Sequence, residues 1–218
     1  MNKMVINIIL GVAAIGAVVG GYFAFADGQQ VRELPYFEPI EKGLKNNTDS
    51  LGRHLVYDFS LIDQTGKTVT REDFKNSITV VDFFFTSCQG ICPVMNSQMK
   101  RVYDNYRGNK EVKLISHTVN PEKDSAEVLA AYAKKYDADP DQWHFVTGDK
   151  AELYKLARKS YLISDTNGDG GKEDFVHSQN FALIDKEGHI RGVYNGIDTA
   201  DVSRLLVEMN VLLGAYKK

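Results

Sequence analysis

Both cysteines of the 218-residue chain stand in one stretch, TSCQGICPVMN, at Cys88 and Cys92, with Pro93 directly after. A thiol pair this close offers three chemistries: a structural disulfide, a redox-active dithiol, or two thiolate arms of a metal site. A disulfide stabilises more when it closes a long loop, and this pair would close a very short one, so the purely structural reading is weak. Simple dithiol redox motifs have two intervening residues; here there are three. On a helix, residues four apart share a face with Cβ atoms about 5–6 Å apart. That suits two sulfurs converging on one ion, and the gap can still contract to a disulfide. The spacing leaves metal and redox chemistry both open.

Two thiolates alone make a poor divalent site, and histidine is the natural third ligand. Five histidines are available. His54 starts a strand. His117 and His144 fall within apparent strands and read as satisfied core or surface residues. His189 lies just past a hairpin turn and is expected to be exposed. His177 differs: it follows a polar loop and opens a strand, at a sheet end where a loop can present its ring. By residue type alone, even His177 is more often structural than a ligand.

The loop before it holds a second cation pattern. DTNGDG, 165–170, matches the first half of an EF-hand, Asp-x-Asn-x-Asp-Gly, but Val176 stands at the twelfth position, where such loops carry Glu. Glu173 and Asp174 are further oxygen donors. The favoured reading is a solvated glycine-rich turn; calcium at the Asp165–Asp169 loop is the less favoured one. Met95 and Met99, four apart, are assigned to packing, the usual role of methionines at helical spacing. Asp82 interrupts an apolar run and needs a polar partner there.

These residues need elements to position them. Apolar content is 43% and charged content 25%, ordinary globular usage, and a formal charge of -3 gives no basic footprint, which excludes nucleic acid as a partner. Met4 to Ala26 contains no charged residue, and a membrane-spanning helix needs about 20 such residues. Residues 1–27 are therefore expected to be a membrane anchor or signal segment. Lys3 precedes the run and Asp27 follows it, which places the N-terminus inside and the bulk outside. Ala24-Phe25-Ala26 has the form of a cleavage site, but the run exceeds the h-region of a signal peptide, so an uncleaved anchor is favoured. No cysteine follows the run, so lipid attachment there is not expected. The chain lacks a mitochondrial presequence, which leaves a bacterial inner membrane, with the soluble part in the periplasm or cell exterior, where a thiol pair can oxidise.

Residues 28–53 are polar with two prolines and read as a tether; 54–218 form the folded domain. Residues 54–70 predict a hairpin turning at Gln64 to Lys67, and Thr70 with Asp73 a helix cap. SITVVDFFF, 77–85, predicts a central strand buried on both faces. A helix starting at Pro93 follows, then a strand at 111–119. A helix over 124–137 is capped by Asp124 or Ser125. A strand from Trp143, a helix over 149–161, a hairpin turning at Asp185 to Gly188 and a closing amphipathic helix complete the pattern. This is an α/β chain with a mixed sheet flanked by helices. A buried strand, a cysteine pair and a helix in that order is the thioredoxin arrangement. It sets the first cysteine at a helix N-terminus, which favours thiolate.

DFFFTSCQGICPVMN, then TVNPEKD at 118–124, then DFVHSQNFALIDKEG at 174–188, resemble the Sco/SenC family over roughly residues 55–213. The resemblance implies a thioredoxin-like fold behind an N-terminal membrane anchor. It implies copper, as Cu(I) or Cu(II), held by Cys88, Cys92 and His177, with His177 where thioredoxins place their cis-proline. It further implies assembly of the binuclear copper centre of cytochrome c oxidase subunit II, by delivering copper or by keeping that subunit's cysteines reduced. Two thiolates and an imidazole suit Cu(I); a Cu(II) ion would take one more ligand. The alternative is an extracytoplasmic thiol–disulfide oxidoreductase or redox sensor that uses Cys88 and Cys92 without metal transfer. A peroxide-reducing enzyme is disfavoured, because Phe85 stands where peroxiredoxins carry Thr three residues before the reactive cysteine.

Overall fold

The alternating apolar pattern from Ser60 onward builds, in chain order, β1 (Ser60–Asp63), β2 (Thr68–Thr70), β3 (Ile78–Phe84), α1 (Cys92–Tyr106), β4 (Val112–Thr118), α2 (Ala126–Lys134), β5 (Trp143–Thr147), α3 (Lys150–Lys155), β6 (Asn180–Ile184), β7 (Ile190–Asn195) and α4 (Thr199–Ala215). The structure is a computed structural model and describes residues 33–39, 47–164, 168, 171 and 174–217. The anchor expected over 1–27 lies outside the described residues. Among those that are described, no helix is long and apolar enough to cross a membrane. Leu34–Lys218 forms one compact unit.

The sheet has seven strands in the order β2-β1-β5-β4-β3-β6-β7. β3, β4 and β5 run parallel, and the flanking pairs are antiparallel. β3 is buried at every residue, as a central strand with both faces covered must be. On one face, Val80 and Phe84 pack with Met95 and Met99 of α1, Leu129 of α2 and Val202 of α4. On the other, Val81 and Phe83 pack with Leu153 and Tyr154 of α3 and with Val56 and Phe59. Helices on both sides of a mixed sheet match the expected α/β class.

Local chemistry explains the boundaries. Gly66 and Gly188 take φ of 81° and 96° at the two hairpin turns, where a side chain would be strained. Thr70 donates to the Asp73 carboxylate from its backbone N–H at 2.7 Å and its hydroxyl at 3.0 Å, closing the box that starts a one-turn helix at Arg71–Phe74. Ser125, not Asp124, caps α2 by accepting from the Val128 N–H at 3.4 Å. The helix expected over 149–161 divides: α3 ends at Lys155 and a wider π turn, Leu156–Ser160, continues it.

Candidate metal and thiol site

α1 begins at Cys92 itself, with Pro93 in its first turn, and Cys88 sits in the preceding turn, beyond the C-terminal end of β3. The two thiols are free, Cys92 buried and Cys88 half-buried. Their environments split them. Burial tends to raise the Cys88 thiol, but hydrogen bonds from the Cys92 side chain and from the backbone N–H groups of Cys92, Gly90 and Ile91 outweigh it and hold the thiol below its ordinary value. Cys92 goes the other way. Burial pushes it well above the usual thiol range, and its bond to Cys88 and the negative charges of Cys88 and Asp82 add to the rise against a backbone hydrogen bond at Phe85. The arrangement therefore presents one accessible, activated sulfur backed by one that keeps its proton.

A carboxylate fixes the cysteine loop from below. Asp124, fully buried, accepts from the Thr86 hydroxyl at 2.5 Å, the Thr86 N–H at 3.2 Å and the Thr118 hydroxyl at 2.5 Å. It thus ties the second residue after β3 to the end of β4. The sequence offered Asp124 only as a helix cap; its presence in the TVNPEKD stretch was the available signal. Asp82 is fully buried on β3, and neither carboxylate oxygen makes a normally aligned hydrogen bond. Burial raises it to about 7, offset a little by the Ser116 hydroxyl on the paired strand. The polar partner expected for Asp82 is thus that weakly placed serine.

His177 is exposed and lies three residues before β6. Its carbonyl accepts from the Ser164 hydroxyl at 3.4 Å, and the Ser178 hydroxyl donates to the Ile163 carbonyl at 2.6 Å. Phe175 joins this loop to the cysteine loop: its ring centroid is 4.8 Å from the His177 ring and 5.3 Å from the ring of Phe85, three residues before Cys88. Cys88, Cys92 and His177 are not drawn into one tight cluster. Among the described residues, Asp185, Glu187 and His189 form the one group of three whose ligand atoms lie within 4.8 Å of one another.

That group is already satisfied without an ion. Arg191 donates to Asp185 at 3.0 Å, and the His189 ring lies between Asp185 at 3.2 Å and Asp49 at 3.1 Å. Tyr216 donates to Glu187. His189, expected to be exposed, is 4% exposed, because Tyr36 and Asp49 from the preceding segment cover it. The other histidines are internal: His117 and His144 on β4 and β5, and His54, expected to start a strand, in an isolated bridge to Thr48 ahead of β1. His54 faces the Ser160 carbonyl at 2.8 Å, His144 faces Asp63 at 3.4 Å, and His117 is fully buried and stacked on Phe83 with centroids 4.7 Å apart. Met95 and Met99 are fully buried in the core. Of the glycine-rich loop, Asp165, Asn167 and Asp169 lie outside the described residues, as does Glu173. Asp174 makes a bidentate pair with Arg158 at 2.6 and 2.7 Å.

Comparison with known proteins agrees with this geometry. A model of the SCO1/SenC family matches residues 47–209. The SCO1 protein homolog of Bacillus subtilis is 30% identical over 156 residues, 71% of this chain and 80% of its own. The structure of BsSco, described as having a disulfide switch and as a member of the Sco family of cytochrome c oxidase assembly proteins, aligns with a TM-score of 0.62 at 30% identity, over 73% of this chain and 93% of its own. ScoI of Bradyrhizobium japonicum, solved with copper bound, shares the fold at a TM-score of 0.55 and 23% identity, over 72% of this chain and 99% of its own. A family model over residues 47–209 and a relative 30% identical over 71% of the chain fix the assignment, and the chain belongs to the SCO1/SenC family.

Proposed function

We propose that this chain is a membrane-tethered copper chaperone that helps assemble the binuclear copper centre of cytochrome c oxidase subunit II. Copper is its cargo. The observation that carries the reading is the pairing of an activated, half-buried Cys88 with a buried Cys92 at the start of α1. His177 stands on the loop that Phe175 joins to the cysteine loop. Soft thiolates select Cu(I), and an imidazole completes a three-coordinate set that a partner's ligands can enter. His177 is exposed and is not clustered with the sulfurs, so this reading requires its ring to approach them when copper loads. Work in oxidase assembly, as described for BsSco, supports the choice of partner. The apolar run at 4–26 supplies the anchor and residues 28–53 the tether, with the N-terminus inside and the folded unit outside a bacterial inner membrane.

The test is competition against a Cu(I) chelator with residues 28–218. We expect His177→Ala to weaken Cu(I) binding sharply with the fold intact, and Cys88→Ser to abolish it. Unchanged affinity in His177→Ala removes His177 from the ligand set.

The split between the two thiols also favours a second reading, thiol–disulfide exchange on the receiving protein. The Cys88 thiolate attacks one sulfur of a partner disulfide, forming a mixed disulfide and releasing the other sulfur as thiolate. Cys92 then loses its proton and attacks the Cys88 sulfur, leaving a Cys88–Cys92 disulfide and a partner reduced by two electrons. Turnover of a disulfide substrate without copper, lost in Cys88→Ser and kept in part by His177→Ala, distinguishes this activity from metal transfer.

A further inference from the structure

A cavity of about 280 Å³ opens over the sheet face opposite α1, under the one-turn helix at Arg71–Phe74 and beside the Asp185–Gly188 turn. It is remote from the thiols along β3: Thr79 and Val81, early in the strand, line it, whereas Cys88 follows the strand's far end. Its floor is Val81, Ile115 and Ile184, and its walls are Val56, Phe59 and Tyr161. Polar groups gather at the rim, where Arg71, Lys75 and Lys186 supply three cations.

The acid partner of each rim cation is well open to solvent: Asp58 is 83% exposed, Glu72 63% and Glu111 44%; Arg71 also donates to the Val56 carbonyl at 3.0 Å and Lys186 lies over the Tyr216 ring. Pairs of that kind contribute little and yield readily to another anion. The two acids in the lining are engaged elsewhere, Asp185 with Arg191 and His189, and Glu187 with Tyr216. A hydrocarbon interior below a cationic mouth is complementary to an alkyl chain ending in an anion. A cavity of about 150 Å³ holds benzene, so this one has room for a chain of about ten carbons.

We propose that this cavity binds a single-chain carboxylate amphiphile. The tail lies on Val81 and Ile115 and the head group sits among Arg71, Lys75 and Lys186. Nothing in the site depends on the cysteines, so the proposal stands or falls apart from copper binding.

The test is methyl-detected NMR titration of residues 28–218 with decanoate below its micelle concentration. This part holds both cores, and BsSco was solved as a chain 93% of which it matches. Saturable shifts are expected at the Val81, Ile115 and Ile184 methyls and not at the exposed Val94 and Val207. Decanol, with the same tail and no charge, is expected to bind more weakly, and Lys75→Gln with Lys186→Gln, which leave only Arg71, to reduce that difference. Ile115→Phe, which fills the floor, should weaken decanoate by at least about tenfold, the loss for excluding roughly two methylenes. If that variant does not fold, the wild-type shift pattern and the decanol comparison decide the matter. Phosphatidylglycerol vesicles, whose lipid carries two chains and a phosphodiester head, are expected to leave these methyls unshifted, and vesicles that reproduce the shifts overturn the assignment to a single-chain carboxylate. Absence of saturable shifts at the cavity methyls, shifts of equal size at Val94 and Val207, or equal affinity for decanol overturns the proposal.

Discussion

Cys88 and Cys92 are chemically alike in sequence and opposite in the fold. Cys88 is lowered and Cys92 raised, so alkylation by iodoacetamide should be confined to Cys88 through neutral pH. Its rate should rise at a lower pH than that of a free thiol, and peptide mapping after partial reaction checks both points. Asp82 and His117 form a second contrasting pair, one on each face of the sheet. Asp82 is raised from 3.8 to about 7, so the folded state holds a proton that the unfolded state has released; this contribution is full below 3.8 and is lost as pH rises to about 7. His117 is lowered from 6.5 to about 3 by burial, so its contribution is present above 6.5 and is lost as pH falls to about 3. Between 3.8 and 6.5 the two slopes oppose each other. Asp82→Asn should therefore steepen the rise of stability with pH in that window, and His117→Phe should flatten or reverse it, read by urea unfolding at a series of pH values. Neither ring nitrogen of His117 makes a normally aligned hydrogen bond, so His117→Phe should also stabilise at pH 5 by on the order of 1 kcal/mol.

The elements that carry these residues were readable where a local pattern decided them. The apolar run 77–85 could only be a buried strand, and Pro93 with Met95 and Met99 marked the start and inner face of α1. The cap of α2 shows where local reading ends. Asp124 and Ser125 are equally good caps by type; what assigns them is Thr86, distant in sequence, which claims the aspartate. Ser125→Ala should cost about 1 kcal/mol, as a lost cap does. Asp124→Ala should cost about 2–4 kcal/mol, because it removes three hydrogen bonds to a buried carboxylate. It should also blunt the selectivity of alkylation for Cys88. Equal losses in the two variants, by urea unfolding, would show that Asp124 acts only as a helix cap. His189 was misread for the same reason: the turn before it is polar, and the groups that bury it come from Tyr36 and Asp49, more than a hundred residues away. The proposed ligand set rests on resemblance alone, since spacing by itself left metal and redox chemistry open.

At the scale of the molecule, the two ends of β3 have different tasks. One end presents thiols and the other opens the apolar cavity. The unit is closed at its β7 side by residues that precede the first strand. The Phe37 N–H donates to the Ile190 carbonyl at 2.9 Å, and Arg191 donates to the carbonyls of Leu34 and Pro35. The Tyr36 ring is held between the guanidiniums of Arg191 and Arg53, 4.0 and 4.2 Å from its centroid. The leading segment is therefore a selvedge on the outermost strand, which otherwise offers bare amide and carbonyl groups to any neighbour. Shortening the protein to begin at residue 47 should leave the thiols reactive yet promote edge-to-edge self-association beyond that of the longer chain, visible as a concentration-dependent increase in sedimentation rate.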